Sequence, residues 1–259
     1  MRDVEARIAG WKDLSLVDVI DHTSFTVWFS GCNFRCPWCS NTRIADGLDY
    51  RVVKVGEIVD AIKEEGGFAE YLHVTGGEPT LQPDALKALF KLNRSETDLL
   101  NSLSTNGSMP EVIRELCIDG LLDHIAIDFK APARGDVYSR VIGLENSEHI
   151  VRRVLDSIRI SCKYVRFIEI RTTLVPMLLG RMDVLEISDT LREICRGFSG
   201  RLVYVVQQYI PYETVREELY RKQPRTNPEI LLEIAREVHK RSGIETYVRA
   251  LELGTVRIS

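Results

Sequence analysis

Phe25-Thr26-Val27-Trp28-Phe29-Ser30-Gly31-Cys32-Asn33-Phe34-Arg35-Cys36-Pro37-Trp38-Cys39 joins a run of β-branched and aromatic residues to a short loop that carries three of the six cysteines. The run at 25–30 is apolar on both faces, the pattern of a strand buried in a parallel sheet and covered by helices. The same kind of run recurs at 71–74, 99–104, 124–129, 165–174 and 202–209. Between and after these runs, segments 55–65, 83–92, 110–118, 148–160, 183–196 and 227–241 have helical periodicity, with Pro83 and Pro110 near helix starts, where a missing N–H is tolerated. The alternation predicts six βα units. A closed eight-stranded barrel needs two more, so the expected fold is α/β, a partial open (β/α)6 TIM-type barrel forming a single domain over residues 1–259. Residues 1–24 read as an irregular N-terminal extension and 25–210 as the barrel core. Residues 211–259 read as a long charged loop at 212–226, a helix, and one or two irregular strands within 245–258.

The unusual residues lie where strands end: 32–39, 76–79, 104–107, 128–130, 171–176 and 207–208. On a βα barrel these ends share one face, so six segments are expected to converge on one pocket.

Composition narrows the partners. A formal charge of −4 with acids and bases interspersed offers no basic stripe for nucleic acid. No apolar run approaches the roughly eighteen residues of a membrane span, and the charged start at 1–9 is unlike a signal peptide, so a cytoplasmic location is expected. Cys117, Cys162 and Cys195 lie far apart in apolar surroundings and read as small buried hydrophobes rather than a disulfide framework. His73, His124, His149 and His239 read as core-edge or surface residues, and the charged run 216–222 as a solvated face.

Cys32, Cys36 and Cys39 form a CxxxCxxC loop. Three thiolates around one small loop can each take a different iron of a cubane, leaving the fourth iron open to substrate. The alternative is zinc, which takes four protein ligands at structural sites or three plus water at catalytic ones. No second CxxC pair exists, and the nearest histidine, His22, precedes the first strand and should lie at its far end.

At the next strand end, Gly76-Gly77-Glu78-Pro79 combines a backbone that a ligand can approach closely with a carboxylate that could accept from an ammonium group. Ser104 and Asn106 offer hydrogen bonds suited to a ribose or a carboxylate. Asp128 and Lys130, at i and i+2 of an extended segment, point to one side, either toward a ligand or into a local salt bridge.

Cys32, Cys36 and Cys39 followed by Gly76-Gly77-Glu78-Pro79 resemble the radical S-adenosylmethionine (SAM) superfamily. The resemblance implies one [4Fe-4S] cluster on the three cysteines, with SAM on the open iron. It also implies that Gly76, Gly77 and Glu78 hold the methionyl amino group and that Trp38 lies beside the adenine. Gly10-Trp11, Val17-Asp18, Asp128-Phe129-Lys130, the segment Arg171-Thr172-Thr173-Leu174-Val175-Pro176 and Gln207-Gln208 extend the resemblance to the activating enzymes of glycyl radical enzymes, anaerobic ribonucleoside-triphosphate reductase activases above all. On that pattern Asp128 and Lys130 sit near the SAM carboxylate and ribose, and Arg171 faces the cofactor. Ser40 and Ser104 stand where many relatives carry a histidine and an acid.

The implied activity is reductive cleavage of SAM to a 5′-deoxyadenosyl radical that installs a glycyl radical on a partner enzyme. The implied partners are that enzyme and an electron donor such as flavodoxin or ferredoxin. The competing readings are a radical SAM enzyme acting on a small molecule, of the 7-carboxy-7-deazaguanine synthase type, and a non-catalytic metal-binding redox regulator.

Overall fold

The computed structural model describes all 259 residues. The chain is α/β with a mostly parallel sheet, as expected, and divides into two compact units.

The first unit comprises Met1–Asn33, Arg43–Thr105 and Glu111–Ala126. It contains β1 (Glu5–Val19), β2 (His22–Phe29), most of α1 (Thr42–Ala45), β3 (Arg51–Lys54), α2 (Val55–Glu65), β4 (Tyr71–Gly76), α3 (Pro83–Glu96), β5 (Leu100–Thr105), most of α4 (Pro110–Ile118) and the start of β6 (His124–Asp128). Its strands run β3, β1, β2, β4, β5, β6 across the sheet. Parallel pairing aligns Phe25 with Leu72 and Phe29 with Gly76, which brings the ends of β2 and β4 level. α2 covers the sheet through Val55, Ile58, Val59 and Ile62, an i, i+3, i+4, i+7 stripe that matches its predicted range.

The extension at 1–24 is not irregular. β1 is a fifteen-residue strand, antiparallel to both β2 and β3. Its inward alternation is clear only at Ala6 and Ile8, and the register then shifts three times along its pairing with β2. Such irregularities break the period-two signal on which a sequence reading depends. His22 opens β2 rather than preceding it. His73 and His124 are fully buried, joined through the Ser102 hydroxyl at 2.7 Å on each side, so the expectation of edge or surface positions fails for both. A buried imidazole needs polar partners, and Ser102 on the intervening strand supplies one to each ring.

The second unit comprises Phe34–Thr42, Asn106–Pro110 and Ile127–Ser259. After the end of β6 it contains α5 (Gly135–Ile142), α6 (Glu148–Tyr164), β7 (Phe167–Leu174), α7 (Arg181–Ile194), β8 (Arg201–Gln208), α8 (Glu218–Arg221), α9 (Pro228–Ser242), β9 (Glu245–Ala250) and β10 (Gly254–Arg257). Strands β6, β7, β8, β9 and β10 follow in that order; β7, β8 and β9 pair in parallel and β10 returns antiparallel. Where one or two irregular strands were expected within 245–258 there are two, and the loop at 212–226 carries the single turn α8. Helix α5 is a further element beyond the expected set.

Candidate active site

In the first unit, Cys32 lies beside the Gly-Gly turn that ends β4. The Gly77 N–H donates to the Phe29 carbonyl at 2.9 Å and the Glu78 N–H to the Gly31 carbonyl at 2.8 Å. This approach leaves no room for side chains. A Cβ on Gly76 would lie 2.1 Å from the Phe29 oxygen, and one on Gly77 would lie 2.1 Å from the Gly31 oxygen and 3.3 Å from the Cys32 Cβ. Two glycines at 76 and 77 are therefore a packing requirement of the cysteine loop, as well as a surface that a ligand could approach.

Glu78 is fully buried. Its Oε1 accepts from the Thr80 N–H at 3.1 Å, the Thr80 hydroxyl at 2.5 Å and the Thr105 hydroxyl at 2.7 Å. A carboxylate so held is fixed in orientation. Thr80 and Thr105 were not singled out from sequence, although both flank quoted motifs. Ser104 is half-buried on β5, two residues beyond the buried Ser102.

In the second unit, Cys36 is 7% exposed and Cys39 half-buried. The cysteine loop is fastened to α5 and to the 212–226 segment. The Trp38 indole N–H donates to the Val141 carbonyl at 2.9 Å, and the Arg35 N–H donates to the Ile142 carbonyl at 2.9 Å. From the other segment, the Arg216 N–H reaches the Cys39 carbonyl at 3.0 Å and the Glu217 N–H reaches the Pro37 carbonyl at 2.9 Å. Val215 and Tyr220 pack with Val175 and Tyr209, and Trp38 and Leu178 lie against them. The run 216–222 thus keeps exposed charges at Glu217, Glu218, Arg221 and Lys222 while its backbone holds the cysteines. Nothing in its composition signals that role.

The structure also pairs Lys130 with Asp128 at 2.7 Å and sets the Lys130 ammonium 5.3 Å from the Trp38 ring centroid, so the local salt bridge weighed from sequence is formed. Asn106 is buried, its Oδ1 accepting from the Ser108 N–H at 2.9 Å. Arg171 is 7% exposed and ion-paired to fully buried Glu169, two residues earlier on β7, at 2.7 Å. Gln208 is structural: its amide donates to the Thr226 carbonyl and to Glu252, and its oxygen accepts from the Leu251 N–H. Gln207 accepts from the Thr173 hydroxyl at 3.4 Å.

Of the scattered cysteines, Cys117 and Cys195 are buried and Cys162 is half-buried. Burial pushes the Cys117 thiol up to about 12, the behaviour of a small core residue.

All six cysteines are free thiols. Soft thiols are the donors that iron–sulfur clusters take, and in the first unit Cys32 carries one beside a glycine turn that any Cβ would fill.

Comparison with known proteins agrees. The sequence profile of the Radical SAM superfamily matches residues 26–194. A protein of Methanocaldococcus jannaschii, provisionally described as a glycyl-radical enzyme activating enzyme, is 33% identical over 90% of this chain and 92% of its own length. The 7-carboxy-7-deazaguanine synthase of Thermococcus kodakarensis is 30% identical over 52% of this chain and 56% of its own. Among solved structures, native anSMEcpe with bound AdoMet and Cp18Cys peptide superposes over 82% of this chain with a TM-score of 0.52 at 16% identity. The FeFe-hydrogenase maturase HydG from Carboxydothermus hydrogenoformans superposes over 83% with a TM-score of 0.60 at 15% identity. The chain spans 56% and 50% of those two structures, and at such identities the likeness shows the fold. Superfamily members use a [4Fe-4S] cluster and SAM, and no helix of this chain is long and apolar enough to cross a membrane. On the profile match and the near-full-length relative together, the chain belongs to the radical SAM superfamily.

Proposed function

We propose that the chain acts as one radical SAM domain that activates a glycyl radical enzyme, with Cys32, Cys36 and Cys39 ligating a single [4Fe-4S] cluster. The observation that carries this reading is the relative from Methanocaldococcus jannaschii, whose likeness runs through 92% of its length rather than the motif region alone.

When bound, the cluster and SAM supply a 5′-deoxyadenosyl radical able to take hydrogen from an unactivated C–H bond. The chain's own residues bind and orient. Gly76 and Gly77 would present backbone to the methionyl amino group, and Glu78, held by Thr80 and Thr105, would accept from it. Asp128 and Lys130 would serve the SAM carboxylate and ribose, Ser104 and Asn106 would offer further hydrogen bonds, Trp38 would lie beside the adenine, and Arg171, ion-paired to Glu169, would face the cofactor. A group that accepts from the amino group needs a carboxylate that does not swing, and the three donors on the Glu78 oxygen meet that need.

The protein substrate would be a glycine-bearing loop of the partner, and reduction would come from a flavodoxin or ferredoxin. Anaerobically loaded protein mixed with SAM, reductant and an anaerobic-type ribonucleoside-triphosphate reductase should give the electron paramagnetic resonance doublet of a glycyl radical on the reductase chain. Release of 5′-deoxyadenosine with no radical on any candidate glycyl radical enzyme would contradict the assignment. The second reading, a small-molecule enzyme, rests on the 30% identity to a 7-carboxy-7-deazaguanine synthase over 52% of the chain. It predicts SAM turnover that needs no protein partner.

A further inference from the structure

In the first unit, the backbone around Cys32 is tied to the segment that leads into β3. The Gly31 N–H donates to the Ile44 carbonyl and the Cys32 N–H to the Ala45 carbonyl, both at 2.8 Å. The Ser30 hydroxyl reaches the Ile44 and Asp49 carbonyls at 3.2 and 3.0 Å. The same segment walls an open groove of about 540 Å³, lined by Ala9, Ile44, Leu48, Asp49, Tyr50 and Arg51. Ile44 therefore belongs both to the groove and to the support of the residue before Cys32.

Leu48, Tyr50 and Val52 are 66%, 50% and 52% exposed, on or just before β3, the strand at the edge of the sheet. Apolar side chains grouped at a sheet edge mark a surface that something covers or that charge guards. Here the uncancelled charge has one sign. Asp49 is paired with Arg43 at 2.6 Å and Lys54 with Asp3 at 2.8 Å, while Glu5 and Asp46 do not line the groove. Two cations remain, Arg51 over the Trp11 ring at 4.3 Å and Arg7 over the Tyr50 ring at 5.7 Å, and neither is paired with a carboxylate. A guanidinium placed over a ring keeps its N–H donors for an incoming anion.

We propose that this groove docks the electron donor, a small redox protein with an acidic face. The inference rests on the reading of Cys32 as a cluster ligand. Carboxylates of the donor pair with Arg7 and Arg51 around apolar contacts at Leu48, Tyr50 and Val52, a small, partly charged patch of the kind that transient electron-transfer encounters use. One electron passes from the reduced donor to the oxidised cluster, so the donor is oxidised as the cluster is reduced, and no bond or proton moves. None of Gly76, Gly77, Glu78 and Thr105 lines the groove. A protein seated there leaves the Gly-Gly-Glu turn uncovered, whereas a glycine-bearing substrate has to reach the SAM held at that turn.

The test titrates the full chain, before loading, with an acidic ferredoxin and with an acidic flavodoxin by calorimetry at low salt. Arg7→Glu combined with Arg51→Glu should weaken the tighter of the two complexes by about tenfold or more, a difference that shrinks at about 0.15 M salt. Arg236→Glu combined with Lys240→Glu, two exposed positions on α9, changes the net charge equally and is the control. It should leave the affinity within about twofold, because docking depends on where the charges sit. In the loaded protein, reduction of the cluster by the same donor should slow in the Arg7→Glu, Arg51→Glu variant, while reduction by dithionite keeps its rate.

Equal affinities of the wild type and that variant would overturn the proposal, as would an equal loss in the control or a wild type that binds neither donor. If the double variant does not melt cooperatively, Leu48→Glu decides: it too should weaken the complex, and an unchanged affinity excludes the groove. Lost binding of a glycyl radical enzyme with donor binding intact would assign the groove to the protein substrate and overturn the proposal. A wild-type protein that takes up no [4Fe-4S] cluster at all refutes the ligand assignment itself, an outcome distinct from unchanged affinities.

Discussion

Glu169 and Arg171 show how a single residue's surroundings decide what it can do. Both project from one side of β7 and are buried, with the guanidinium Nε and terminal nitrogen 2.8 and 2.7 Å from one carboxylate oxygen. From sequence, Arg171 was expected to face a ligand; the structure adds the counter-charge that keeps a buried cation tolerable there. Removing one member of such a pair strands the other. Glu169→Ala should therefore cost about 3–5 kcal/mol in chemical denaturation of the unloaded protein, and a loss below about 1 kcal/mol would mean that Arg171 is neutralised by other groups. The signal for Glu169 was present in the i, i+2 spacing along the strand. Thr80 and Thr105 were equally close to quoted motifs. What the sequence could not reveal is that both hydroxyls converge on the same oxygen of Glu78, because a convergence between separate strand ends leaves no local pattern.

Among the elements, α5 and the 212–226 segment were the least legible and matter most for the cysteine loop. Helix α2 was readable because four apolar residues repeat at helical spacing and cover a sheet. The eight-residue α5 is short, and the 212–226 segment holds Cys39 and Pro37 through backbone N–H groups, which any residue but proline can supply. β1 escaped for a different reason, its register shifts.

The clamp by α5 can be weighed with two glycines that end helices in the left-handed conformation, Gly143 at φ +67° and Gly243 at φ +71°. Only Gly143 is crowded, against the Arg35 carbonyl. Gly243→Ala should cost the left-handed penalty alone, about 1–2 kcal/mol. Gly143→Ala should cost more in the same thermal melt and should lower the iron retained after reconstitution, which Gly243→Ala leaves unchanged. Equal melting shifts with equal iron content would show that α5 does not brace the cysteines.

For the whole molecule, the alternation of six apolar runs with helical segments was enough to place the chain in the α/β class, and the strand ends carried the motifs. The superfamily profile ends at residue 194, whereas the likeness to the Methanocaldococcus jannaschii protein covers 90% of the chain. The C-terminal 65 residues outside the profile include the segment that holds Cys39 and the strands β8, β9 and β10. They are integral to the second unit, with β8 and β9 in parallel register beside β7. The proposed function requires that Cys32, Cys36 and Cys39 hold a cluster that reductively cleaves SAM.

Its most direct test is anaerobic reconstitution with iron and sulfide, reduction by dithionite, and chromatography for 5′-deoxyadenosine formed from SAM, beside a Cys36→Ala control. Product is expected from the wild-type chain and none from the variant. Folded, iron-loaded wild-type protein that forms no product, even with candidate glycyl radical enzymes present, would contradict it and favour a metal-binding redox regulator.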